Sequence, residues 1–187
     1  MRTSETIIAD ALNQLPASDK KVFDEVLGEL VSTGVAGIAQ VADMLVPASE
    51  GKNAIVEYAL NGLVAYVTTS GKEAEKAIVR KGLIQALDAC KDNPNKAFLL
   101  TLLRMCGEAE DAPVFVKYLN DEYLAEWAIS GLTTIKGTEE VLLDLMKKEA
   151  APKAILAHAA GLKKLASAES ILLAWLKGAD VPTARAI

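Results

Sequence analysis

Aromatic residues are scarce in this chain, at 5% of positions against 51% hydrophobic residues in all. Its core must therefore be aliphatic, which suits packed helices better than the β-branched and aromatic surfaces of sheets. Prolines number only six in 187 residues, few enough to leave long uninterrupted helical segments. An excess of basic charge is missing too: the formal net charge is −5 and the isoelectric point lies near 5.0. A generic binder of the phosphate backbone needs clustered lysine and arginine, so nucleic acid is excluded as the expected partner. The short basic pairs Lys20-Lys21, Lys147-Lys148 and Lys163-Lys164 read as solvated helix faces.

No apolar run approaches the ~18 residues that a membrane span requires, so no membrane span is expected. The opening "MRTSETIIADALNQL" is amphipathic, broken by Glu5 and Asp10, and lacks the apolar centre of a signal peptide. The expectation is a soluble chain, periplasmic or secreted if it is a processed fragment of a longer protein. Cysteine is nearly absent. Cys90 and Cys106 match neither a disulfide framework nor a metal-binding spacing. At the ends of successive antiparallel helices they would stand about 20 Å apart at ~1.5 Å per residue, beyond disulfide reach, so two buried thiols are expected.

What the chain does have is regular punctuation. The breaks "LPAS", "STG", "PASEGK", "TSGK", "KDNPN", "GEAEDAP", "LNDE", "KGT", "EAAP" and "LASAES" separate segments whose apolar residues recur at helical spacing. Eleven helices are expected, near 4–14, 18–32, 35–46, 52–69, 72–91, 94–106, 111–119, 122–135, 139–149, 152–166 and 168–177. Ser70 with Glu73 has capping-box spacing, and Asn93-Pro94 and Asp111-Ala112-Pro113 set a capping side chain beside a first-turn proline. Gly107 and Gly137 stand where helices should stop. Connections this short force neighbours into antiparallel hairpins.

The segments also repeat. Gly62-Leu63, Thr101-Leu102, Gly131-Leu132 and Gly161-Leu162 align at offsets of 39, 30 and 30. Ala59, Phe98, Ala128 and His158 stand three residues earlier in each. The alternate helices repeat as "VFVKYL", "VLLDLM" and "ILLAWL" at offsets of 27 and 30. One face thus carries small, large and again apolar residues in order, and the glycines should let a neighbouring helix approach. Repeats of this period bury their faces by stacking, which predicts an all-α, right-handed α-solenoid of about five antiparallel hairpins. Its expected organisation is an N-terminal helical cap or atypical first repeat over 1–33, the array over 34–177, and a tail or truncated start of a further helix over 178–187.

The stretch "YLNDEYLAEWAISGLTTIKGTEEVLLDLM" carries a specific likeness. It resembles the HEAT-repeat family of armadillo-type superhelices, including the shorter type also found in phycobilisome-lyase-like proteins. Asp121 stands where that family often has an aspartate in the turn between paired helices. The partner arginine of the family's ladder is replaced by Ala125, and by Val56 and Ile155 in other repeats. The likeness extends to the HEAT regions of large secreted bacterial proteins with carbohydrate-active domains, such as the 3-keto-disaccharide hydrolase type. It implies a curved surface for a partner protein or a neighbouring domain of the same parent. The last repeat, "ILLAWLKGADVPTARAI", is incomplete, so a fragment of a larger protein is expected, with the array or another domain continuing beyond Ile187.

Catalytic chemistry has little to work with. His158 is the single histidine, and its column marks it as an interior structural residue with no placed acid or nucleophile. The acids Glu108, Glu110, Asp111, Asp121, Glu122, Glu139 and Glu140 stand at expected helix starts, where negative charge favours the helix dipole. No catalytic residue, cofactor or metal site is assigned, and the chain is expected not to be an enzyme. Trp175 shares a column with Tyr118 and Leu145 and should be core. Trp127 lies beside the buried stripe, and with Tyr58, Tyr66, Glu126 and Ser130 it forms the candidate interaction surface on the second helices of hairpins. Scaffolding is the leading expectation. The alternatives are a spacer or accessory domain of a larger carbohydrate-active enzyme, or an enzyme resembling the bilin lyases or HEAT-like alkylpurine glycosylases. Self-association is expected through the unfinished last repeat, at Ile171, Leu172 and Trp175.

Overall fold

The computed structural model describes residues 2–187, which are helical with no strand among them. Two compact units divide the chain, Met1–Cys106 and Gly107–Ile187. The first holds α1 (Ser4–Asn13), α2 (Lys20–Ser32), α3 (Gly34–Asp43), α4 (Ala54–Val67), α5 (Glu73–Ala89) and α6 (Asn93–Cys106). The second holds α7 (Ala112–Val116), α8 (Ala125–Thr134), α9 (Glu139–Lys148), α10 (Lys153–Leu162), α11 (Glu169–Leu176) and α12 (Val181–Ala186).

In the first unit each helix touches its successor, while α1, α3 and α5 also meet in series, as do α2, α4 and α6. The most extensive contact joins α3 to α5, and glycine makes it close. A Cβ on Gly82 would stand 2.5 Å from Cβ of Ile38 and 3.0 Å from the Val35 carbonyl oxygen. The core is aliphatic, with Leu27, Leu30, Ile38, Leu60, Leu63, Leu83, Leu87 and Leu100 fully buried. One polar bracket crosses it. Buried Asn53 accepts from the Val46 N–H at 2.9 Å and donates to the Val46 carbonyl at 2.8 Å, and Asn95 donates to the same carbonyl at 2.9 Å. That bracket satisfies loop backbone groups which would otherwise be costly to bury.

Several helix ends differ from the sequence expectation. Asp92 caps α6, accepting from the Asn95 N–H at 3.0 Å, so the cap falls one residue before Asn93. The Ser70–Glu73 box does not form as a cap: α5 follows Lys72, which makes no side-chain capping bond. Gly137 has the left-handed backbone of a helix stop, with φ +80°, but Gly107 is not among the positive-φ residues; Glu149 closes α9 at φ +48°.

In the second unit α7 packs on α8, α8 on α10, α9 on α10, and α10 on α12. Phe115 is fully buried, and its ring occupies the space where a Cβ on Gly131 would lie. Lys163, after α10, has a side chain only 9% exposed; its Nζ donates to the Ile135 carbonyl at 2.5 Å and to Glu139 Oε1 at 3.1 Å. That clasp ties the end of α10 to the turn between α8 and α9. Asn120 likewise donates to the Ala150 carbonyl at 3.0 Å, joining two interhelical loops thirty residues apart in sequence.

The repeat register breaks at α10. Alignment on Gly161 places His158 and Leu162 inside, yet both are exposed, and the buried residues are Leu156, Ala157, Ala159 and Ala160. On α8 the buried set includes Ala128, Ile129, Gly131 and Leu132. The two sets match at an offset of 28, not 30. Two residues amount to about 200° of helix rotation. The rotation has a physical cause: Leu156 with three alanines makes an apolar face, whereas the aligned face would bury a lone imidazole without a placed partner. Gly161 therefore looks outward, with nothing within 4 Å of a Cβ placed there.

The last helices differ as well. Beyond Lys177 the chain forms α12, capped by Asp180, whose Oδ1 accepts from the Thr183 N–H at 2.9 Å. Trp175 turns inward: its indole Nε1 donates to Glu149 Oε1 at 3.2 Å, and Lys153 Nζ lies 5.4 Å from the ring centroid. Ile171 and Leu172 are half-buried beside it. The face expected to be uncovered is thus turned in, and Leu173 and Leu176 are the exposed large apolar residues of α11.

Candidate functional site

The five candidate surface residues divide between the units. Tyr58 and Tyr66 lie on α4 in the first; Glu126, Trp127 and Ser130 lie on α8 in the second. Tyr58 is exposed, and its ring meets the Phe23 ring edge-on, with centroids 6.2 Å apart and planes at 82°. Tyr66 is half-buried. Its hydroxyl lies where a Cβ on Gly28 would come within 3.1 Å, and Lys72 Nζ stands 3.7 Å above its ring centroid. An open hollow beside Tyr66 is lined by Lys20, Lys21, Asp24 and Glu25. Lys20 pairs with Asp24 at 2.6 Å and Lys21 with Glu25 at 3.8 Å. Each is an exposed i,i+4 pair, so the hollow is charged but locally balanced.

The second unit offers a better-built surface. Asp121, in the turn before α8, accepts with Oδ1 from the Tyr123 and Leu124 N–H groups, both at 2.9 Å. This turn fixes Tyr123 four residues before Trp127, the spacing that brings side chains together along a helix. The two rings stack, with centroids 5.4 Å apart and planes within 13°, and both stay exposed, Trp127 at 36% and Tyr123 at 44%. Tyr123 is not among the residues expected from the sequence, although its spacing of four from Trp127 signals the pair.

On the same helix, Glu126, Ile129, Ser130 and Thr133 form one wall of a groove of about 490 Å³. Ala154, Ile155, His158 and Leu162 of α10 form the other. Glu126 and Ser130 thus enter a common site, while Trp127 lies between them in sequence as part of the aromatic stack. His158 is a groove residue rather than an interior one. The rotation of α10 puts it there together with Leu162, which is 60% exposed. The groove is mostly apolar, with a carboxylate, two hydroxyls and an imidazole among its residues.

Other reactive groups stand elsewhere. Cys106 is buried and Cys90 is half-buried, a correction to the expectation of two interior thiols. Burial pushes the Cys90 pKa up, which keeps the thiol protonated and a poor nucleophile. Glu139 is held below the ordinary carboxylate range, first by its own backbone N–H and then by Lys163. No group of three or more His, Cys, Asp or Glu among the described residues could hold a metal ion, and no described helix is long and apolar enough to cross a membrane. Comparison with known proteins found no matching family model, no similar curated protein and no similar solved structure.

Proposed function

We propose that this chain is a non-catalytic scaffold of HEAT-like helical repeats that binds a partner protein, or a neighbouring domain of its own parent, through the α8–α10 surface. The observation that carries the reading is the exposed stack of Tyr123, in the turn before α8, on Trp127 of α8, the helix that also walls the apolar groove. Stacked aromatics beside a concave apolar site are the usual composition of an energetic hot spot in a protein interface. The solenoid part of the reading is supported by the serial contacts α1–α3–α5 and α2–α4–α6 in the first unit and α8–α10–α12 in the second.

The groove favours an apolar segment whose polar edge meets Glu126, Ser130, Thr133 or His158. The test is affinity capture from the native source with the wild-type chain, a Tyr123→Ala/Trp127→Ala variant and a Tyr58→Ala control. A partner held by the wild type and control but lost from the folded double variant supports the site. For such a partner, affinity should fall about 30-fold, the equivalent of a ~2 kcal/mol hot-spot loss. A partner bound equally by all three places the interface elsewhere.

A further inference from the structure

The outer face of α11 carries an ordered pattern. Glu169, Leu173, Leu176 and Lys177 are all exposed, Leu173 at 55% and Leu176 at 47%. At 100° per residue they fall within one stripe about 100° wide, on the side away from Trp175. Neither the Glu169 nor the Lys177 side chain makes a hydrogen bond or ion pair among the described residues. Two unpaired opposite charges therefore bracket two uncovered leucines on a single helix.

Their positions are symmetric. Glu169 lies four residues before Leu173, and Lys177 four residues after it. When two such helices run antiparallel about a twofold axis through Leu173, the two Leu173 side chains meet at the centre. Glu169 of each copy then faces Lys177 of the other. Ser170 and Ala174 of each flank the crossing, and Leu176 lies over the small side chains near the opposite helix start. A twofold interface must be self-complementary, because one patch serves both sides. This stripe meets that requirement in charge as well as in apolarity. A partner of another kind would need its own acid, leucine and base in reverse order.

We propose that α11 is a homodimerisation helix, pairing antiparallel with α11 of a second copy and locked by two reciprocal Glu169–Lys177 contacts. It acts through a different helix from the groove proposed above, and each idea can fail without the other. The contact of one short helix lies at the small end of protein interfaces, so the dimer is weak, with a dissociation constant of roughly 100 μM. Weak pairing suits a module that dimerises when it is concentrated on a larger assembly.

The test is sedimentation velocity over a concentration series at low ionic strength. The wild type should pass from monomer to dimer, and Leu173→Glu should remain monomeric while keeping its helical circular dichroism, because the position is exposed. Glu169→Lys alone sets lysine against Lys177, and Lys177→Glu alone sets glutamate against Glu169. Each should weaken its own dimer by about tenfold, as like charges across an interface do. An equimolar mixture of these two single variants restores both attractive contacts in a heterodimer and should regain wild-type association. A chain monomeric up to about 1 mM, far above the dissociation constant expected for so small an interface, overturns the proposal. So do single variants that dimerise like the wild type, or a mixture that associates no better than its components.

Discussion

Gly131 and Gly161 occupy the same place in the sequence repeat and opposite places in the structure. At Gly131 a methyl group would overlap the buried Phe115 ring; at Gly161 it would meet nothing within 4 Å. Gly131→Ala is therefore expected to destabilise the protein by about 1–3 kcal/mol through overpacking. Gly161→Ala removes backbone freedom without a clash and should be neutral or stabilising by up to ~1 kcal/mol. Urea denaturation of the two variants checks the contrast, and equal losses would show that both glycines are packing sites. Adding Phe115→Leu to Gly131→Ala should recover part of the loss, because contacting residues couple. His158→Ala should change stability by less than about 0.5 kcal/mol, as expected for an exposed side chain; a larger loss would restore it to the interior.

Among the elements, the Lys163 clasp holds three helices by one side chain. Lys163→Met keeps the aliphatic stem but takes one donor each from the Ile135 carbonyl, which still accepts from Thr138 Oγ1 at 3.0 Å, and from the Glu139 carboxylate, which keeps its backbone donors. The expected cost is about 1–2 kcal/mol, the range for a hydrogen bond made by a charged group at a partly exposed site. The clasp is also sensitive to acid. Glu139 has its pKa lowered in the folded state from an ordinary value of 4.5, so its contribution is complete above that value and is lost as pH falls through the lowered one. Denaturation midpoints measured between neutral pH and pH 3 should decline less steeply in Lys163→Met than in the wild type. Equal slopes would assign the acid sensitivity to other carboxylates. The first eleven helices were legible because Gly, Pro and Asx clusters separate segments of strong helical period. The twelfth was legible only as a tail or the truncated start of a further helix, since "VPTARAI" is too short and too mixed to show a period. The orientation of α10 was hidden for a different reason. Its Gly-Leu pair copies that of α8, but burial is decided by which face offers the most apolar contact, and the face of Leu156 prevails over the face of His158. The same rotation explains why the residues that face Glu126 and Ser130 across the groove were not legible in the sequence.

For the whole molecule, each unit carries close packing and polar fastenings of its own. The Val46–Asn53–Asn95 bracket and the Gly82–Ile38 approach both belong to residues 1–106. Phe115 with Gly131, Lys163 with Ile135, and Trp175 with Glu149 all belong to residues 107–187. The first unit has the more continuous leucine core, and about 100 residues is a size at which a single core sustains itself. A fragment of residues 1–106 is therefore expected to fold alone, with the far-ultraviolet ellipticity of a six-helix protein and one cooperative denaturation transition. A repeat array predicts the same independence, since its stability is the sum of local units and their nearest neighbours. Shortening the fragment to residues 1–92 separates the two ideas. It deletes α6 together with Asn95, the donor that closes the bracket, and leaves the α4 face that α6 touches without its cover. If the six helices form a closed core, this fragment should lose its cooperative transition. If they behave as stacked repeats, the remaining five should keep a cooperative transition at a lower urea midpoint, and that result would favour the scaffold of helical repeats proposed above.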